Sequence, residues 1–181
     1  MKKIIISLLV LLLFTGCGKN MDTPTSKVEE ALSKYQNLDN SVDYDLNRII
    51  DREGSLEDDD KKTYRTALER QFQNMSYKIK NEEIDGDTAT VEVEVEVLDY
   101  KTSNENSKKY FTEHPQDFID EDIVDGKVEE IAEFITYKIS ELMKVEDKTK
   151  YDITFTLRKD NDEWVIDDID DETLEKLLGI Y

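Results

Sequence analysis

The chain has 181 residues, with 44 Asp and Glu against 24 Lys and Arg and a formal charge of −20. That balance excludes nucleic acid as a partner, because such binding depends on neutralising phosphates with Lys and Arg. One cysteine, Cys17, excludes an intrachain disulfide, and one histidine, His114, excludes a multi-histidine metal site.

At the N-terminus, Lys2 and Lys3 precede an apolar stretch from Ile4 to Phe14 that only Ser7 interrupts. This is the layout of a signal peptide. The stretch is about 11 residues, and a helix crossing roughly 30 Å of hydrocarbon needs about 20, so a permanent span is not expected. The sequence Phe14-Thr15-Gly16-Cys17 resembles the lipobox of bacterial lipoproteins, with Phe14 where leucine is usual. The resemblance implies a diacylglyceryl group on Cys17, cleavage after Gly16, and a lipid-anchored location at the extracytoplasmic face of the cell membrane. Losing residues 1–16 removes two lysines and no acid, which takes the formal charge to about −22. Anionic headgroups then repel the domain while the acyl chains hold it. This leaves a mature chain of roughly 165 residues, enough for one domain with a real core.

Residues 17–25 read as the lipidated cysteine and a short tether, since Gly18 to Thr25 has only Met21 as an apolar side chain. Its about eight residues give an end-to-end distance of roughly 15 Å. The domain is expected over 26–181. Thr23-Pro24 offers an N-cap followed by proline, and Ser26-Lys27-Val28-Glu29 offers a capping box one turn later. Val28, Ala31, Leu32 and Tyr35 then mark one helix face, and Val42, Leu46, Ile49 and Ile50 mark a second helix stopped by Gly54-Ser55. Glu57 to Asp60 suit the N-terminus of a third, whose stripe is Tyr64, Ala67, Leu68 and Phe72.

At Ser76 the period changes. Tyr77 and Ile79 alternate with lysines, Ile84-Asp85-Gly86-Asp87 turns, and Ala89, Val91, Val93, Val95 and Val97 alternate with Thr90, Glu92, Glu94 and Glu96. The pattern predicts a β-hairpin with one apolar and one acidic face. Lys101 to Gly126 predicts short helices and loops. From Lys127 a long helix is expected, with Val128, Ile131, Ala132, Ile135, Ile139, Leu142 and Met143 on one stripe. Tyr151, Ile153, Phe155 and Leu157, the turn Asp160-Asn161-Asp162, then Trp164 and Ile166 predict a second hairpin. A last helix runs from Asp170 through Leu174, Leu177 and Leu178.

This order predicts an α+β fold: a four-stranded antiparallel sheet from two hairpins, with helices packed on one face. The stretches Thr23 to Glu30, Gln73 to Lys80 and Trp164 to Asp168, with the Gly179-Ile180-Tyr181 ending, resemble a family of small Firmicute lipoproteins. Such proteins are similar to the NTF2-like (cystatin-like) superfamily. That resemblance implies helices wrapped on a curved sheet, often with an apolar cavity, and it carries over no catalytic residues.

Few residues suggest chemistry. His114, beside Pro115, reads as a surface or capping residue, since a base needs an orienting partner. Asp120-Glu121-Asp122-Ile123-Val124-Asp125-Gly126 looks like a calcium loop, but its glycine falls one place late and Ile131 stands where glutamate is required. Asp167-Asp168 and Asp170 to Glu172 are acid clusters that suit a helix N-terminus as well as an ion. Glu92, Glu94 and Glu96, at about 6.5 to 7 Å intervals along a strand, suit water or a basic partner. Tyr35, Tyr64, Tyr77, Tyr137, Phe155 and Trp164 fall on core stripes and could also line a cavity. No catalytic set, metal site or cofactor is assigned. The expectation is a lipid-anchored, extracytoplasmic binding or interaction module for an apolar small ligand or a basic envelope protein. The alternatives are an NTF2-like enzyme with a carboxylate base in an apolar pocket, or a passive envelope component.

Overall fold

The computed structural model describes residues 22–53, 56–118 and 132–181. Gly16, Cys17, the Gly54-Ser55 stop and the Asp120 to Gly126 segment lie outside them. Six helices and four strands follow in the order α1 (Pro24–Gln36), α2 (Asp43–Arg52), α3 (Asp58–Asn74), β1 (Ser76–Asp85), β2 (Thr88–Leu98), α4 (Tyr100–Glu113), α5 (Ala132–Leu142), β3 (Lys148–Asp160), β4 (Glu163–Ile166) and α6 (Asp171–Leu177). The strands form one antiparallel sheet in the order β1-β2-β3-β4, as the two-hairpin reading expects.

The alternation of β2 decides which face is covered. Val91, Val93, Val95 and Val97 are fully buried, and across the ladder they meet Phe155, Ile153, Tyr151 and Thr149 of β3. Helices supply the other half of this core: Val28 and Leu32 from α1, Leu46 from α2, Ala67, Leu68 and Phe72 from α3, and Leu174 and Leu177 from α6. Tyr35 and Phe72 meet edge to face, with ring centroids 4.9 Å apart. Fully burying each valine contributes about 1.5–3 kcal/mol, which makes the inner face of β2 the densest source of stability in the sheet.

Turn chemistry fixes the register. Gly86 adopts a φ of 60° between Asp85 and Thr88, and Asn161 and Asp162 adopt φ of 51° and 66° between Asp160 and Glu163. Two successive positive φ values give the primed turn whose twist matches flanking strands.

Three expectations change. The N-terminal capping box is built one turn earlier, by Thr23 and Ser26, each side chain accepting the other's backbone N–H at 3.1 Å. The helix thus begins at Pro24, and residues 22–25 belong to the folded domain. In place of short helices and loops, residues 100–113 form one 14-residue helix, capped by the Asp99 carboxylate on the Thr102 N–H at 2.9 Å. Finally, β1 carries an irregularity between Ile79 and Asn81. The extra residue reverses the alternation, so that Glu82 pairs with Val91 and Ile84 with Ala89 on the helix side of the sheet. Glu82 there is exposed and accepts the Thr25 N–H at 2.9 Å.

The buried and exposed faces of β2 should respond oppositely to substitution. Val93→Asp places an unpaired charge in the core and should cost at least about 3 kcal/mol, while Glu94→Gln on the solvent face should leave the midpoint nearly unchanged. Denaturant midpoints measure both. Equal losses would mean that β2 has no single buried face.

Candidate functional site

The space between helices and sheet, where the NTF2-like resemblance implies an apolar cavity, is occupied by the valines of β2 and the leucines that face them. Tyr35, Tyr64, Phe155 and Trp164 are buried members of that core, and Tyr77 is half-buried against it. Tyr137 differs, for it lines a surface cleft of about 570 Å³ between α4 and α5.

The cleft exists because two neighbouring elements are held apart and fixed. On one side, the Asp99 N–H donates to the Asp147 carbonyl at 2.9 Å, which ties the start of α4 to the start of β3. On the other, the Arg70 guanidinium of α3 donates to the Val145 carbonyl at 2.6 Å and to that of Leu142 at 3.4 Å, which caps the end of α5. Below the opening lies a second apolar cluster of Phe111, Phe118 and Phe134, with Tyr137 packed on it.

Two kinds of group face the opening. Tyr110 and Tyr137 stack with centroids 5.3 Å apart and planes at 28°. The carboxylates of Asp99, Glu141, Glu146 and Asp147 share the lining with a single ammonium, Lys144, which pairs with Glu141 at 2.5 Å. The Tyr110 hydroxyl donates to Asp117 at 2.8 Å, a bond that holds its proton on and raises its pKa, while burial and the Glu141 charge raise that of Tyr137. Both rings therefore stay neutral and electron-rich at physiological pH. Ser107, 2% exposed, turns its hydroxyl back to the Ser103 carbonyl at 2.9 Å and leaves the floor of the cleft without a charged group.

The other residues singled out from sequence fall elsewhere. His114 ends α4 with its ring 4.6 Å from Tyr110, so it buttresses a lining residue instead of facing the opening. Glu94 and Glu96 belong to a cross-strand ladder: Glu94 meets Lys80 at 2.7 Å and Lys150 at 3.3 Å, and Glu96 meets Lys150 at 3.7 Å. Those lysines hold the Glu94 carboxyl below its ordinary range. Asp167 pairs with Arg158, Asp170 caps α6 through the Thr173 N–H at 2.7 Å, Asp171 meets Arg52 at 2.6 Å, and Glu172 meets Lys176 at 2.8 Å. Among the described residues no group of three or more acids, cysteines or histidines is placed to hold a metal ion. The buried polar side chains among them are Gln71 and Ser107, so no described carboxylate sits in an apolar pocket.

A second hollow, of about 590 Å³, lies at the hairpin-tip end around Ile84, Ala89, Leu157 and Arg158. Ile84 is 55% exposed there because the irregularity in β1 carries it past the helices' cover.

No family model matches the chain. No curated protein matches it. Among solved structures it is similar to YcdA of Bacillus subtilis, described as a candidate lipoprotein, with 17% identity and a TM-score of 0.39 over 69% of this chain and 38% of the other. The chain thus spans well under half of that protein's length, and a likeness at this level carries neither fold nor function across. Among the described residues no helix is long and apolar enough to cross a membrane.

The partnered acids give a metal test. The thermal midpoint of the full chain should be the same in millimolar calcium and in magnesium at matched ionic strength, because a specific site separates the two by coordination number and cavity size. A calcium-specific rise of several degrees, abolished by Asp168→Ala or Asp120→Ala, would contradict the metal-free reading.

Proposed function

We propose that the chain is a lipid-anchored, extracytoplasmic binding module that accepts a cationic group, an amine or guanidinium on a partner, in the cleft between α4 and α5. The observation that carries this reading is the joint lining of the cleft by a stacked tyrosine pair and four carboxylates, with one ammonium between them. Neutral aromatic faces attract cations by about 0.5–2 kcal/mol, more as water is removed, and carboxylates within a Debye length of about 8–10 Å add to that attraction. A polar lining of this kind suits a basic protein segment and not an apolar small ligand. Lys144 already occupies one carboxylate in the way such a group would.

Support for the location comes from Lys2-Lys3, the apolar stretch to Phe14 and the box ending at Cys17. A net charge near −22 after processing keeps the domain off anionic lipid and favours a basic partner.

Labelled fatty acid should enter the wild-type chain and not Cys17→Ser. On the anchored protein, an oligolysine peptide should bind and an oligoglutamate peptide should not. Replacing two cleft carboxylates, Glu146→Gln with Asp147→Asn, should weaken oligolysine binding about tenfold, or about 1.4 kcal/mol. The charge-matched pair on the outer sheet face, Glu92→Gln with Asp152→Asn, should change it by less than about twofold, as screened surface charges do. Equal weakening by both pairs would show that total charge, and not the cleft, binds the peptide.

A further inference from the structure

Asp22 and the cleft lie toward opposite ends of the sheet. Asp22, the first described residue, is docked on the second hairpin: its carboxylate accepts the Trp164 backbone N–H at 3.2 Å and pairs with Lys27 at 3.2 Å. Three residues on, the Thr25 N–H is held by Glu82 of the first hairpin. Both contacts fall within a few residues of the hairpin turns. Those turns lie at one end of the sheet, since the Lys159 N–H donates to the Asp87 carbonyl at 2.8 Å and Thr88 pairs with Arg158. The cleft begins at Asp99, beyond the far end of β2. Ten residue steps at about 3.3 Å each separate Thr88 from Leu98, roughly 33 Å. Cys17 is five residues from Asp22 and reaches at most about 17 Å from it.

We infer that the anchored domain stands on its hairpin-tip end, with the α4–α5 cleft opening on the side away from the bilayer. The inference rests on the lipid-anchor reading of Cys17. With five residues of reach, the domain has no way to stand on its other end. Asp85, Asp87, Asp160, Asp162 and Glu163 crowd the tips, and their repulsion from anionic headgroups keeps that end from pressing onto the bilayer. A partner approaching from outside the membrane then meets the cleft first.

Trp164 is the chain's one tryptophan and marks the membrane-proximal end. The full-length lipidated protein is placed in phosphatidylglycerol vesicles that carry a dansyl headgroup lipid. Two single-cysteine variants, Asp162→Cys and Glu146→Cys, are labelled with one donor dye, Cys17 being blocked by its lipid. Energy transfer to the headgroup should be strong from Trp164 and several-fold greater from residue 162 than from residue 146. Inserting about ten Gly and Ser residues between Cys17 and Asp22 should lower the transfer from Trp164 and shrink the difference between the two labels. Equal transfer from both labels with the native tether, or stronger transfer from residue 146, would overturn the orientation. A protein that fails to float with the vesicles and lacks acyl mass would instead overturn the anchor reading, an outcome that flotation and mass together separate from a wrong orientation.

Discussion

Where β2 ends, the backbone of Leu98 meets the carboxamide of Gln71, a fully buried side chain on α3. The amide nitrogen donates to the carbonyls of Leu98 at 2.8 Å and Leu178 at 2.6 Å, and its oxygen accepts the Leu98 N–H at 2.8 Å. One residue thereby joins the end of β2, the third helix and the end of the sixth. Leaving any of these groups without a partner in the core would cost about 1–3 kcal/mol. Gly179 completes the junction with a φ of 67°; a Cβ there would lie 2.1 Å from the Leu98 carbonyl and 2.5 Å from the Gln71 nitrogen. Because the Gly179 carbonyl accepts the Lys101 N–H at 2.6 Å, the C-terminal turn also sets where α4 starts. Tyr100 locks the same corner, its buried hydroxyl donating to the Ala67 carbonyl at 2.8 Å.

From this junction the placement of the cleft follows. α4 leaves the end of β2 in a direction fixed by Gln71, Gly179 and Tyr100, while Arg70, the neighbour of Gln71 on α3, holds the end of α5. The two helices meet through Phe111, Phe118 and Phe134, a cluster separate from the main core. Polar side chains above that cluster have no apolar surface left to cover, so they line an opening. The same architecture confines the hairpin turns to the far end, where the chain enters the fold.

Helix stripes and the alternation of β2 were legible in the sequence because each carries its own period: Val28, Leu32 and Tyr35 on a helix, Val91 to Val97 on a strand. α4 was not legible as one helix, since from Lys101 to Lys109 its inward positions hold small polar residues, Ser107 among them, in place of leucines. The Asp99 cap, with Tyr100, Ser107 and Phe111 at seven- and four-residue steps, is the signal that marks it. The reversal in β1 leaves no trace in the sequence either, because Lys80 to Glu83 are polar on both faces and any register satisfies them. Glu94 and the acids near α6 were legible as surface charges, and their partners on other strands and helices are a property of the fold alone. The cleft joins α4 to residues some 40 positions later, a distance at which a single sequence carries no pairing signal. Signal and anchor, by contrast, depend on local pattern only and need no fold to be read.

Amide hydrogen exchange on the full-length protein in vesicles, with and without bound oligolysine, tests the cleft most directly, since it maps contact along the backbone without altering any charge. The account predicts added protection at residues 99–107 and 141–147, with the outer strand face around Glu92 to Glu96 unchanged. Protection spread evenly over the acidic surface, or concentrated on the outer sheet face, would contradict it.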